Sequence, residues 1–169
     1  MYDLNRVKMV FDMACLRAGV VVDTNCIKIN DRLTSTHGRV TSEWKEGVGY
    51  VPTKVEFSKQ MLDCATDESI KQVVLHEAAH YIVSKRTHAD HGHDAYFKSV
   101  CREIGCTKPE ASGNLDYVKP IPEPTYKYFV VCPNCGVIGK YQRKCKTITS
   151  IGNRMCKKCK STQLRVVAN

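Results

Sequence analysis

The chain has 169 residues, 43% apolar and 25% charged, which fits one medium domain or a domain plus a small module. No apolar run approaches the length of a membrane-spanning helix, and residues 1–6 lack the basic-then-apolar pattern of a secretory signal, so membrane and secreted classes are excluded as expectations. The net charge is +9, and residues 119–169 carry all of the excess: eleven Lys and Arg against one acid, Glu123, leaving −1 for residues 1–118.

Leu4, Val7, Val10, Phe11, Ala14, Cys15 and Ala18 recur at helical spacing, so residues 3–18 read as an amphipathic helix stopped at Gly19. Residues 26–33 and 51–57 read as strands, with turns at Gly38 and at Gly47–Gly49. Residues 67–86 form the clearest helix. Asp67 and Glu68 suit its start, and Ile70, Val73, Val74, Leu75, Ala78, Ala79, Ile82 and Val83 cover most of its circumference, as in a buried central helix. A second helix is expected over 93–104, with Phe97, Val100, Cys101 and Ile104 on one face and Gly105 at its end. Trp44 falls in a polar stretch between the strands, either in a mobile loop or closing over a cleft.

The buried helix carries His76-Glu77-Ala78-Ala79-His80 in its middle. Positions i and i+4 share a face, so His76 and His80 can share one metal ion, and Glu77, about 100° round, can reach a metal-bound water without ligating. A catalytic zinc needs a third protein ligand and an open position. His88, Asp90, His91, His93 and Asp94 follow. His93 is the choice, because it precedes Phe97 by four residues and so shares the inward face of the expected second helix, whereas His88 and His91 fall in the connecting loop. The pattern implies a zinc-dependent endopeptidase in which Glu77 is the general base.

Lys119–Pro124, with three prolines in six residues, reads as a stiff linker. Beyond it, Cys132-x-x-Cys135 and Cys156-x-x-Cys159, separated by 20 residues, give the spacing of a Zn(Cys)4 ribbon. Ten cysteines without an export signal favour reduced thiols and metal sites in an intracellular setting. Cys145 lies between the pairs and reads as a bystander, with replacement of one ligand as the alternative. A redox pair is the competing reading, but no thioredoxin-like pattern accompanies it. Four thiolates and one Zn²⁺ would leave the basic segment at about +8, a field that attracts polyanions. Lys140, Arg143, Lys144, Lys146, Arg154, Lys157 and Lys158, interleaved with Tyr141, Tyr126, Tyr128 and Phe129, suit single-stranded nucleic acid: cations for phosphates, rings for bases.

Ser58-x-x-x-Leu62, Val74-Leu75-His76-Glu77-Ala78-Ala79-His80 and Gly92-His93-x-x-x-Phe97, with Arg32-Leu33 and Gly38-Arg39 upstream, resemble the SprT-like metalloproteases, the family of the DNA-dependent protease Spartan. The resemblance covers roughly residues 27–167. It implies an α+β fold: a zincin-like protease domain with an active-site His-Glu-x-x-His helix, followed by a small β-rich zinc ribbon. The expected division is 1–118 for the protease domain, 119–125 for the linker and 126–169 for the basic ribbon. The resemblance maps the family's third zinc ligand onto His93 and implies two zinc ions, one catalytic and one structural. It further implies DNA as a partner, DNA-bound or DNA-crosslinked proteins as substrates, a monomer, and a cytoplasmic, nucleoid-associated location (nuclear in a eukaryote). Two other readings stay open: a nucleic-acid-binding ribbon protein whose zincin domain is structural or regulatory, and a general peptidase indifferent to DNA.

Overall fold

A computed structural model describes residues 2–110 and 115–169. The chain divides into two compact units, Met1–Ile121 and Pro122–Asn169. Both are mixtures of small sheets and helices, so the fold class is α+β.

In the first unit, helix α1 (Leu4–Arg17) begins at Asp3, whose side chain accepts the Arg6 N–H at 2.8 Å, and ends before Gly19 at φ 67°. Three strands follow: β1 (Ile27–Asn30), β2 (Gly38–Lys45) and β3 (Gly49–Ser58). They form one sheet in the order β1-β3-β2, with β1 parallel and β2 antiparallel to the central β3. Val55 and Phe57 of β3 point into the core at 0% exposure. Phe11 joins α1 to this layer, its ring 6.4 Å from Phe57 and 5.5 Å from Tyr81. Each such fully buried side chain contributes about 1.5–3 kcal/mol from apolar burial. On the opposite face of β3, buried Glu56 is met by Arg39, by Lys54 at 2.6 Å and by Asn30 at 2.9 Å. Through Asn30 of β1, Arg39 of β2 and Glu56 of β3 this group links all three strands.

Helix α2 (Lys59–Cys64) is a short turn of helix with no period long enough to read from sequence. Helix α3 (Asp67–Thr87) is the central helix, capped by Thr66, whose hydroxyl accepts the Ser69 N–H. Ile70, Val74, Ala78, Ala79 and Ile82 are almost wholly buried. Its C-terminal cap His88 is left-handed at φ 54°, and the His88 carbonyl accepts the Tyr50 N–H at 2.8 Å. Gly49 is needed at that contact: a Cβ there would lie 2.5 Å from the same oxygen. Helix α4 (Ala95–Ile104) packs its apolar face, Phe97, Val100, Cys101 and Ile104, against α3 and α1.

Three expectations need correction. The second helix does not start at residue 93. Asp94 caps it by accepting the Phe97 N–H at 2.9 Å, which leaves His93 outside the helix. Gly38 is not a turn but the first residue of β2. Trp44 lies within β2, paired with Tyr50 and packed edge-on against its ring at 5.2 Å, so cross-strand aromatic pairing extends the hairpin through a stretch that reads as polar.

The second unit holds β4 (Tyr128–Cys132), β5 (Gly136–Tyr141), α5 (Lys146–Thr149) and β6 (Arg165–Ala168). The strands form an antiparallel sheet in the order β5-β4-β6. Val130, Cys132, Ile148 and Cys156 are its buried apolar side chains, a core too small to hold 48 residues without another constraint. At the start of the proline-rich segment, Val118 and Lys119 donate their N–H groups to the Cys64 carbonyl, so the first residues of that segment belong to the first unit.

Candidate metal centres

One turn of α3 separates His76 from His80, and both rings project from the same face. His93 reaches them from the loop before α4. Its Nε2 lies 3.1 Å from His76 Nε2 and 3.2 Å from His80 Nε2. Phe97, at 0% exposure, backs the cluster, with its ring 4.3 Å from His80, 4.9 Å from His93 and 5.1 Å from His76. The Asp94 cap fixes where α4 starts and so where His93 leaves the loop.

The donor set fits a metal ion. Three imidazole nitrogens converge within 4.8 Å of one another. Four ligands held at zinc–nitrogen distances sit about 3.3 Å apart at the corners of a tetrahedron, close to the separations seen. A single N–H on His93 cannot satisfy both neighbouring nitrogens, whereas one cation satisfies all three. Burial, with His76 and His93 alongside, holds His80 down at about 3, so it stays neutral, the form that ligates. His93 is also lowered, by burial and by His76. Burial opposes the charged form of His76 as well, but the Cys106 side chain, Glu77 and the Lys108 carbonyl outweigh it and raise its value.

Glu77 is 7% exposed and lies between α3 and β2. Burial pushes its carboxyl up to about 7, against the opposing effects of His76 and the Val40 N–H. The approach of β2 is close: a Cβ on Gly38 would lie 2.5 Å from Glu77 Cγ. An open cleft of about 650 Å3 runs past the cluster, bordered by His76, Glu77, His80 and His93 on one side and by Gly38–Val40, Ser42 and Tyr50 on the other. His91 also borders this cleft, but its Nδ1 is 2.7 Å from Asp94 and it stands outside the cluster. His88 caps α3 instead.

In the second unit, Cys132, Cys135, Cys156 and Cys159 place their sulfurs within 4.8 Å of one another. Cys132 and Cys159 are 3.4 Å apart, Cys135 and Cys156 3.9 Å. Tetrahedral thiolates about 2.3 Å from zinc stand about 3.8 Å apart, so this set also fits a metal ion, and the unit fits a zinc ribbon. The residue after each Cys-x-x-Cys pair is left-handed, Gly136 at φ 70° and Lys160 at φ 61°. The two knuckles therefore share a backbone turn, although only the first uses glycine. Cys145 is not in the cluster; it precedes α5.

The basic side chains are placed around this unit. Lys140, Arg143, Lys144, Lys146, Arg154, Lys157 and Lys158 are all exposed. Lys140 Nζ stands 5.6 Å above the Tyr126 ring, and Tyr126 meets Phe129 edge-on at 6.5 Å. Tyr141 pairs with Tyr128 across the strands and folds its ring over Gly139, where a Cβ would come within 2.9 Å. Sequence reading does not single out Gln72, a polar residue on an apolar helix, places Gly38 in a turn, and gives no sign of the left-handed backbone at Lys160.

An α+β domain in which two helix-borne histidines and a loop histidine converge beside a buried glutamate defines the class, a candidate metal-binding domain. The chain belongs to the SprT-like family, which it matches over residues 11–117, a span that includes the whole histidine cluster. It is 28% identical over 120 residues to "Protein SprT-like" of Lactococcus lactis subsp. lactis (strain IL1403), an alignment covering 71% of this chain and 69% of that protein. No solved structure matches the chain. Among the described residues, no helix is long and apolar enough to cross a membrane.

Proposed function

We propose that this protein is a zinc-dependent endopeptidase, stimulated by DNA, that cleaves proteins bound or crosslinked to DNA. The observation that carries the reading is Glu77, a buried carboxylate aimed into a cleft beside three converging imidazoles. A structural metal site has no use for such a group.

His76, His80 and His93 would hold the catalytic zinc, and the four cysteines a second, structural zinc. When bound, the catalytic ion supplies Lewis acidity, bringing the pKa of water toward about 7 and polarising the scissile carbonyl. Glu77 takes a proton from the attacking water and delivers it to the leaving amine, so that the amine departs neutral. Phe97 behind the imidazoles and the apolar flank of α3 keep water from the rear of the site, which strengthens each polar contact within it.

The DNA dependence rests on the second unit. Exposed cations and the rings of Tyr126, Phe129 and Tyr141 on one small module match what single-stranded nucleic acid needs. Binding enzyme and substrate to one DNA molecule raises their effective concentration. The protein would act as a monomer inside the cell, on the nucleoid or in a nucleus.

The test is cleavage of a DNA-binding protein by the zinc-loaded full chain, with and without single-stranded DNA, against Glu77→Gln. Cleavage that requires both Glu77 and DNA is expected. Cleavage that requires Glu77 but ignores DNA would make the protein a general peptidase. DNA binding without Glu77-dependent cleavage would make it a non-catalytic binding protein.

A further inference from the structure

Gln72 lies one turn before His76 on α3 and is 5% exposed. It is a buried polar residue that proton transfer at Glu77 does not use. Both ends of its amide are engaged: Oε1 accepts the Thr107 N–H at 2.8 Å, and Nε2 donates to Glu68 Oε1 at 2.8 Å. The next residue, Lys108, presents its carbonyl to His76 Nδ1 at 3.3 Å. The contacts thus run from α3 to a loop and back to α3 four residues later.

The end of α4 delivers that loop. Cys106 N–H bonds to the Cys101 carbonyl at 2.8 Å and Gly105 N–H to the Arg102 carbonyl at 3.3 Å, with Gly105 left-handed at φ 82°. This pair of hydrogen bonds turns the chain sharply back toward α3. Cys106 Sγ then lies 3.6 Å from the same Lys108 carbonyl.

We propose that Gln72 is a positioning residue for the metal ligand His76. By pinning Thr107 it sets the Lys108 carbonyl against His76 Nδ1. A carbonyl only accepts, so that nitrogen must carry the proton, and Nε2, which faces His93, keeps its lone pair for the metal. The second hydrogen bond of a ligating histidine fixes its tautomer and its ring plane. Among the described residues, His80 and His93 show no hydrogen bond at Nδ1, so the outer contact to His76 carries the orientation of the set. A buried amide that merely braced a loop would change stability but leave the metal affinity of the folded chain alone.

The inference rests on the reading of His76, His80 and His93 as zinc ligands. The experiment measures zinc affinity of the full chain by chelator competition, for wild type and Gln72→Leu, with His76→Ala and Cys132→Ser marking which zinc is which. Gln72→Leu is expected to weaken the histidine site by about 10–100-fold and to leave the ribbon zinc unchanged. The exchanged pair Glu68→Gln/Gln72→Glu, which restores an acceptor for Thr107 and a donor beside it, should recover affinity. Wild-type affinity at the histidine site in Gln72→Leu, whatever its melting temperature, overturns the proposal. Nitrogen-15 spectra of the metal-free wild-type chain, at a pH high enough that the ring is neutral, test it with no variant: the single His76 ring proton should sit on Nδ1, and a neutral ring with its proton on Nε2 overturns it. A wild-type chain that binds zinc only at the cysteines overturns the ligand reading as well, which separates the two failures.

Discussion

Replacing Gly38 by alanine should disable Glu77 without touching the metal. The added Cβ would lie 2.5 Å from Glu77 Cγ, 2.7 Å from Oε1 and 2.8 Å from Cδ. Non-bonded carbons rest at about 3.5 Å or more, so one partner must retreat by about 1 Å. The strand is the firmer of the two. Gly38 pairs with Phe57 of the central strand, and the neighbouring His37 carbonyl accepts the Ser58 N–H at 2.9 Å. The Glu77 side chain therefore moves. Gly38 is not among the left-handed glycines, so alanine suits its backbone, and the folded state should not suffer. Misplacing a reacting group by 1 Å can cost about 100-fold in rate, or about 2.7 kcal/mol of barrier. The assay is kcat/KM on a DNA-bound protein substrate, with zinc content and melting temperature measured on the same preparation and Glu77→Gln as the floor. The expected result is a loss of about 100-fold with zinc and stability retained. A Gly38→Ala enzyme that cleaves as fast as wild type would show that Glu77 does not act from where it lies.

Cys132→Ser should remove one zinc per chain and unfold the second unit, whose small core depends on the metal, while the melting of the first unit stays unchanged; native mass spectrometry and amide spectra read both effects, and two retained zinc ions would refute the four-cysteine site. Reversing Lys144, Lys146, Lys157 and Lys158 to glutamate should weaken single-stranded DNA binding and lower the slope of log K against log salt by roughly 0.7 for each phosphate that is no longer neutralised; unchanged binding would place the DNA site elsewhere. Lys54 and Arg39, helped by Asn30 and opposed by burial, hold Glu56 down at about 2 from an ordinary 4.5. A lowered carboxyl stabilises the fold above its unfolded value and loses that contribution as pH falls from about 4.5 to about 2. Melting curves of wild type should therefore fall more steeply over that window than those of Glu56→Gln, and parallel curves would refute the role given to this group.

Much of the architecture was legible because it rests on local pattern. The apolar run around α3 marked a buried helix, and the histidine spacing put two rings on one face. The cysteine spacing pointed to a ribbon for the same reason: each knuckle closes within four residues. Where the reading failed, a longer-range contact decided. Period alone extended α4 to residue 93, but the Asp94 side chain competes for the first free N–H groups and starts the helix at Ala95. Gly38 read as a turn because glycine is common there, yet its place is in β2, where it leaves room for Glu77. Trp44 gained its strand from a partner, Tyr50, on the other side of the hairpin.

The amino-acid sequence alone settles which side chains can meet through a single helix or a single knuckle: His76 with His80, Cys132 with Cys135, Cys156 with Cys159. It also settles that the excess positive charge falls in the last 51 residues. Three features come from packing instead: His93 enters from a loop, β2 closes on Glu77, and Gln72 reaches His76 through Thr107 and Lys108. Those contacts join residues far apart in the chain, and no backbone periodicity links such distances. They are set by how α3, α4 and β2 pack, and that packing is fixed by core side chains that carry no chemistry of their own.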